Sequence, residues 1–245
     1  MSSPQVVAAA AAAAATANAS AAVAVNQHPY YPRNSAIPHY VESKLSMGEA
    51  FATLGSAVGV VMVVTALLIS RARVPLSGKD KLIVVWMLVC AAIHIVLEGY
   101  FSFNHHSLAG KETIMGDLWR EYAHADSRYL TSDPFTVIME GITAVFDGSF
   151  AVIAAYGILA DSPVRHPAQL ITSLAQLYGN VLYMLTNYME GFRYTNPNPV
   201  YFFGYFVLLN APWIIIPTLL MVDSWKGICR GMLIAQRATS VKKVN

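Results

Sequence analysis

LIVVWMLVCAAIHIVLEGYFSF, residues 82–103, is an apolar run long enough to cross a bilayer, which takes about 20 helical residues, and its second half holds a histidine and a glutamate. His94 and Glu98 are four positions apart, so on a helix both project from one face. Ionisable groups in hydrocarbon are costly and by default mark a functional site. A membrane helix with such a face predicts partners for it elsewhere in the chain.

Four further apolar runs of membrane length, 50–70, 135–160, 168–186 and 201–222, flank this one. Of the 245 residues, 56% are hydrophobic and only 12% charged, where ordinary soluble domains carry roughly a quarter. Lipid-facing segments must satisfy their own backbone hydrogen bonds, so the expected fold is all-α: a polytopic bundle of five transmembrane helices. The 135–160 run exceeds the length needed and is expected to tilt.

The positive charges set an orientation. Arg71, Arg73, Lys79 and Lys81 fill the first connection, Arg165 and His166 the third, and Lys226, Arg230, Arg237, Lys242 and Lys243 the C-terminal end; the second and fourth connections hold Glu112, Asp117, Glu121, Asp126, Asp133 and Glu190. The positive-inside rule puts the first group, and with it the C-terminus, in the cytosol. There Lys242-Lys243-Val244-Asn245 reads as a dilysine signal that retains proteins in the endoplasmic reticulum membrane. A net charge of +2 without a basic, aromatic-laced stripe argues against nucleic acid. Cys90 and Cys229 fall at different depths and are expected to be free thiols.

Three regions follow: a tail over 1–46, a membrane domain over 47–225, and a basic cytosolic tail over 226–245. The first tail begins alanine-rich and turns to HPYYPRNSAIPHY, where prolines disfavour helix and Tyr30, Tyr31 and Tyr40 are expected as interfacial anchors. The long connection 104–134 is charged and aromatic and is expected to cap the non-cytosolic mouth.

Polar groups recur on the other helices. Glu140 and Thr143 are spaced i, i+3, with Asp147 a turn further; Gln176, Asn180 and Tyr183 form one stripe; Asn210 and Trp213 form another pair. At a rise of about 1.5 Å per residue, Glu98 and Glu140 both lie about 9 Å from the non-cytosolic ends, and His94 and Asn210 about 15 Å. Antiparallel helices thus deliver their polar groups to one layer. A lone Asn180 equally suits interhelical bonding, and Trp213 core packing. His94, Glu98 and Glu140 are reasonable metal ligands, but no second His-rich spacing supports a metal site, and no cofactor motif occurs. With no serine or cysteine nucleophile beside His94, acyl transfer fits poorly. Paired carboxyls supply an acid and a base, and an indole face stabilises a cation, so proton addition and removal around a short-lived carbocation fits better.

Five ordered stretches, HIVLEGYF (94–101), WREYAHADSRY (119–129), MEGITA (139–144), QLYGNVLY (176–183) and NAPW (210–213), resemble the emopamil-binding protein family, with HPYYPR resembling its plant-type members. The resemblance runs from about residue 30 to 230. It implies an intramolecular isomerase, a 3β-hydroxysteroid Δ8,Δ7-isomerase of sterol biosynthesis, in the endoplasmic reticulum membrane and often dimeric, with no cofactor. Its essential positions fall on His94, Glu98, Glu140 and Trp213 as the reacting set, with Thr143 and Asn210 orienting the carboxyls. Tyr122, Arg128 and Tyr129 match the connecting-loop stretch that closes the pocket, and Asn180 and Tyr183 add supporting positions. The partners implied are a sterol, membrane lipid and cationic amphiphilic drugs. One departure is Asp147-Gly148-Ser149, where the family pattern has an apolar residue followed by Gly-Pro. The competing reading is a non-enzymatic binder of sterols or cationic amphiphiles, which need not keep the whole acid, base, amide and indole set. A proton-coupled carrier predicts inverted repeats or broken helices.

Overall fold

The computed structural model describes residues 27–244. The alanine-rich stretch lies outside them, as do Asn245 and the side chains of 241–244, and with them the dilysine pattern. The regular elements of the described residues are all helices, with no strand among them.

α1 (Met47–Ser70) opens on a capping box, with the Ser46 hydroxyl accepting from the Glu49 amide while Glu49 accepts from the Ser46 amide at 2.8 Å. α2 (Gly78–Asn104) is capped by Ser77. α3 (Ile114–Tyr122), capped by Thr113, lies within the long connection. α4 (Pro134–Leu159) starts where Asp133 caps and Pro134, which has no amide to satisfy, takes the first turn. α5 spans Arg165–Met189. A π-helical run, Val200–Leu208, leads through a turn into α6 (Pro212–Val244).

Among the described residues, four helices are long and apolar enough to cross a membrane: α1, α2, α4 and the stretch Val200–Ser240. α5, the expected fourth span, has the length at 25 residues but lies outside that set. The reason is its inside-out character. It buries Gln169, Thr172, Ser173, Gln176 and Asn187 along one face, and exposes Ile171, Leu174, Tyr178 and Leu185. The buried amides reach other elements, as when Gln169 Nε2 donates to Leu220 O at 3.2 Å and Asn187 Nδ2 to Asp126 Oδ2 at 2.8 Å. Without a hydrophobic drive between helices in lipid, such bonds and close packing hold a bundle together. α6 continues helically through the basic stretch expected to be a tail from residue 226. Both cysteines are free.

α2 and α4 come together through small residues. A Cβ on Gly148 would sit 2.5 Å from Ile95 Cγ1, so only glycine permits this approach, and Gly99 lies against the Ala144 methyl. At this crossing both helices loosen into π-helical turns, Ile93–Glu98 in α2 and Thr143–Asp147 in α4. Such turns are rare and often found at functional sites.

The connection 104–134 folds as a compact cap. Arg120 is fully buried, bonding Asp117 at 2.6 Å and the Lys111 carbonyl at 2.8 Å, while the Lys44 amide donates to the same Asp117. The segment before α1 packs onto this cap, with the Val41 amide donating to Ala109 O. Tyr30 is corrected accordingly: it is 1% exposed and packs against His124 and Tyr40 inside the cap, where it cannot anchor at an interface. Burial, followed by the charge of Arg33, pushes the His124 imidazole down to about 4, so the cap keeps a neutral ring stacked on Tyr201.

Candidate active site

A cavity of about 280 Å³ opens beneath the cap, walled by α1, α2, α4, α5 and the π run into α6. His94, Glu98, Glu140, Thr143, Asn180, Tyr122, Tyr129, Tyr183, Asn210 and Trp213 all line it.

The bonding begins at the crossing of the two π turns. His94 Nδ1 lies 2.7 Å from Glu98 Oε2, and the Gln176 amide nitrogen donates to His94 Nε2 at 2.9 Å. An amide donor on Nε2 leaves the ring proton on Nδ1, so the imidazole donates to Glu98. The same Glu98 oxygen accepts from the Thr143 hydroxyl at 2.6 Å, and that hydroxyl also lies 3.3 Å from Glu140 Oε2 and 2.9 Å from the Glu140 carbonyl. Thr143 therefore ties the two carboxyl groups together. The other Glu140 oxygen accepts from the Tyr129 hydroxyl. Burial and the adjacent Glu140 push the Tyr129 hydroxyl far above its ordinary value, so it keeps its proton and donates.

A second group lies along the α5 and α6 wall. Asn180 Nδ2 donates to the Asn210 carbonyl at 2.9 Å, and Asn210 Nδ2 donates to Phe206 O at 2.8 Å and to the Tyr122 hydroxyl at 3.4 Å. Trp213 packs its rings against Trp86 at 5.5 Å, with its indole N–H buried and unbonded. The Tyr183 hydroxyl is likewise buried without a partner.

Asn210, expected to orient the carboxyls, bonds Phe206 and Tyr122 instead of either carboxyl group, and Arg128 also differs from expectation. Arg128 does not line the cavity. Its guanidinium grips Asp126 through Nε at 2.9 Å and Nη2 at 2.7 Å, donates to Thr186 at 3.1 Å and lies over the Tyr183 ring at 5.2 Å. It clasps the cap to α5 behind the pocket wall. Arg128→Met leaves Asp126 buried without its countercharge and is expected to cost about 3–5 kcal/mol of stability, with Arg128→Lys recovering part. Thermal unfolding in detergent reads this, and an unchanged melting point in the methionine variant contradicts the clasp. Asp147 is 1% exposed, with both carboxyl oxygens unbonded, and it too is absent from the cavity wall.

Gln176 belongs with His94 by geometry; its signal was the i, i+4, i+7 stripe with Asn180 and Tyr183. Glu121 and Tyr205 also line the cavity, bonded to each other at 2.8 Å. Nothing in spacing pairs two residues 84 positions apart.

Membrane-length helices closed round an aromatic and carboxylate-bearing chamber define a multi-pass membrane protein with an internal site. Residues 114–224 match the family described as EXPERA (EXPanded EBP superfamily). The chain is 40% identical over 203 residues to the 3-beta-hydroxysteroid-Delta(8),Delta(7)-isomerase of Rattus norvegicus, covering 82% of this chain and 88% of that protein. It is 35% identical over 217 residues to the probable 3-beta-hydroxysteroid-Delta(8),Delta(7)-isomerase of Arabidopsis thaliana, covering 88% of this chain and 95% of that one. A protein of the same probable designation from Oryza sativa subsp. japonica is 34% identical over 203 residues, 82% of this chain and 92% of its own. The chain belongs to the emopamil-binding protein (EBP) family.

Proposed function

We propose that this chain is a 3β-hydroxysteroid Δ8,Δ7-isomerase, moving a sterol ring double bond from carbons 8 and 9 to carbons 7 and 8. One observation carries the chemical reading: a single hydroxyl, Thr143, within hydrogen-bonding distance of both Glu98 and Glu140 at the wall of a largely apolar cavity. Adjacent carboxyl groups share a proton readily, so the pair offers an acid and a base together. One acid among His94, Glu98 and Glu140 delivers a proton to carbon 9. The positive charge left at carbon 8 is stabilised by the Trp213 indole, and a second member of the set takes the proton from carbon 7. Protons and electrons balance over the cycle, which therefore calls for no cofactor. Thr143 and Tyr129 hold the carboxyls, and Gln176 holds His94 from behind. Asn210, fixed by Asn180, supports the wall through Tyr122.

The membrane domain, residues 47–225, makes five crossings in this reading, with α5 as the fourth span; the amide donors of its polar face bond inside the bundle and its apolar face meets lipid. Arg71, Arg73, Lys79, Lys81 and Arg165 gather at the end opposite the cap, which supports a cytosolic position for that end and for the basic C-terminal region. The endoplasmic reticulum membrane, a homodimer and cationic amphiphilic drugs as ligands complete the proposal.

Expression in a yeast strain lacking sterol isomerase, with sterols identified by mass spectrometry, tests the activity. Δ7 sterols are expected to replace Δ8 sterols. Persistent Δ8 sterol beside well-expressed, membrane-inserted protein contradicts the reading.

A further inference from the structure

The groups assigned to proton transfer are bonded to one another: His94 to Glu98 and Gln176, and Thr143 to both carboxyls. The one carboxyl oxygen of the set without a described partner, Glu98 Oε1, belongs to the proton exchange with the rings and cannot at the same time hold the substrate's distant hydroxyl. A 3β-hydroxysteroid entering an apolar cavity must still find a partner for that group, because an unbonded buried hydroxyl is costly.

The cavity offers a second polar station. Glu121, near the end of α3, and Tyr205, in the π run before α6, both line it and are 8% and 5% exposed. The Tyr205 hydroxyl donates to Glu121 Oε1 at 2.8 Å, and no described side chain donates to Oε2. The wall around them is hydrocarbon: Ala50, Phe51 and Leu54 of α1 and Leu118 of α3, with the Phe51 ring edge-on to Tyr205 at 5.4 Å. A carboxyl group with one oxygen held, the other unbonded, and no protein donor facing it is an acceptor set for an incoming hydroxyl.

Its position suits the ligand. α3 belongs to the cap at the mouth of the cavity, whereas Glu98 and Glu140 lie deeper in the helices. A sterol in the adjoining leaflet carries its hydroxyl at the interface and its rings in the hydrocarbon. Moving sideways into the cavity without turning over, it brings the hydroxyl to the cap and the middle rings toward the carboxyl pair.

We propose that Glu121, oriented by Tyr205, binds the 3β-hydroxyl of the sterol and so sets which ring carbons meet Glu98 and Glu140; the identity of the ligand rests on the isomerase reading above. The test is direct binding of a Δ8 3β-hydroxysterol and its 3-deoxy analogue to full-length protein in lipid nanodiscs, with product formation from the hydroxysterol followed in the same samples. The wild type is expected to prefer the hydroxysterol by about tenfold or more, the range of a hydrogen bond to a charged group. Glu121→Met, similar in shape but unable to accept the bond, is expected to bring that preference close to one without weakening the deoxy analogue. Glu121→Gln, which keeps an acceptor, is expected to fall between. A wild type that does not discriminate, or a Glu121→Met variant that still does, overturns the proposal. If Glu121→Met does not fold, Tyr205→Phe carries the test: preference should fall severalfold, and an unchanged preference overturns the assignment. Discrimination without any Δ7 product in the wild type overturns the isomerase reading instead and leaves this site standing.

Discussion

Glu98→Gln and Glu140→Gln are each expected to lower sterol isomerisation by about 10²–10⁴-fold, the range of a positioned general acid or base. Glutamine preserves the shape of the side chain and still accepts a hydrogen bond from the Thr143 hydroxyl, which lies within 2.6 Å of Glu98 and 3.3 Å of Glu140. What it removes is the capacity to hold and release a proton. In Glu98→Gln the amide faces the Nδ1 proton of His94 with one oxygen instead of a carboxylate, so the imidazole loses its charged partner as well. Because the two carboxyls are linked through one hydroxyl, the double variant is expected to lose little more than either single one, since groups that act as a unit are not additive. Product formation in nanodiscs, beside melting curves showing that the variants fold, measures this. If either folded variant keeps more than about a tenth of wild-type turnover, a range that general acid or base loss excludes, the carboxyl pair is not the proton carrier.

How far the fold could be read from the sequence depended on whether an element's inward face is apolar or polar. α1, α2, α4 and the stretch into α6 announce themselves because lipid imposes hydrocarbon on long segments, and their ends carry caps such as Ser46, Ser77 and Asp133. α5 is fainter, because its interior face is the polar one and dilutes the run that lipid requires. The cap was legible as a functional connection but not as a packed unit. Tyr30 looked like an anchor because tyrosine favours interfaces, yet the fold encloses it.

The site divides along the same line. His94 with Glu98 and Glu140 with Thr143 were legible because helical spacing fixes which side chains share a face, and that spacing survives the two π turns, one holding His94 and Glu98 and the other beginning at Thr143, just past Glu140. The Tyr129 bond to Glu140 joins a connection to a helix across eleven residues with no period to follow, so only coordinates display it. Arg128 had the chemistry of a pocket residue, but its partner Asp126 lies two positions away and turns it from the cavity. Glu121 stood in the quoted WREYAHADSRY stretch, yet its role depends on Tyr205, which no local pattern brings near.

Trp213→Ala is expected to weaken the binding of a tertiary-amine amphiphile by about 30-fold or more. The protonated amine resembles the cation proposed at carbon 8, and a desolvated cation over an indole gains about 2 kcal/mol or more, where about 1.4 kcal/mol is tenfold. Trp213 lines the same cavity as Glu98 and Glu140 and is braced by Trp86 at 5.5 Å, so the ring is held in place before any ligand arrives. Removing it also deletes packing surface. A neutral, isosteric ligand in which carbon replaces the amine nitrogen separates the two effects: it should lose only the packing contribution, while the amine loses packing and charge stabilisation together. Trp213→Phe, with a smaller ring and a weaker face, should sit between wild type and alanine for the amine. The same substitution should slow isomerisation, because the charge that the indole stabilises is fuller in the transition state than in the bound sterol. Competition binding with the charged and neutral ligands, run beside turnover, reads both. Equal losses for the amine and its carbon analogue in a folded Trp213→Ala variant reduce the indole to packing and return the stabilisation of the cation to the carboxyl pair alone.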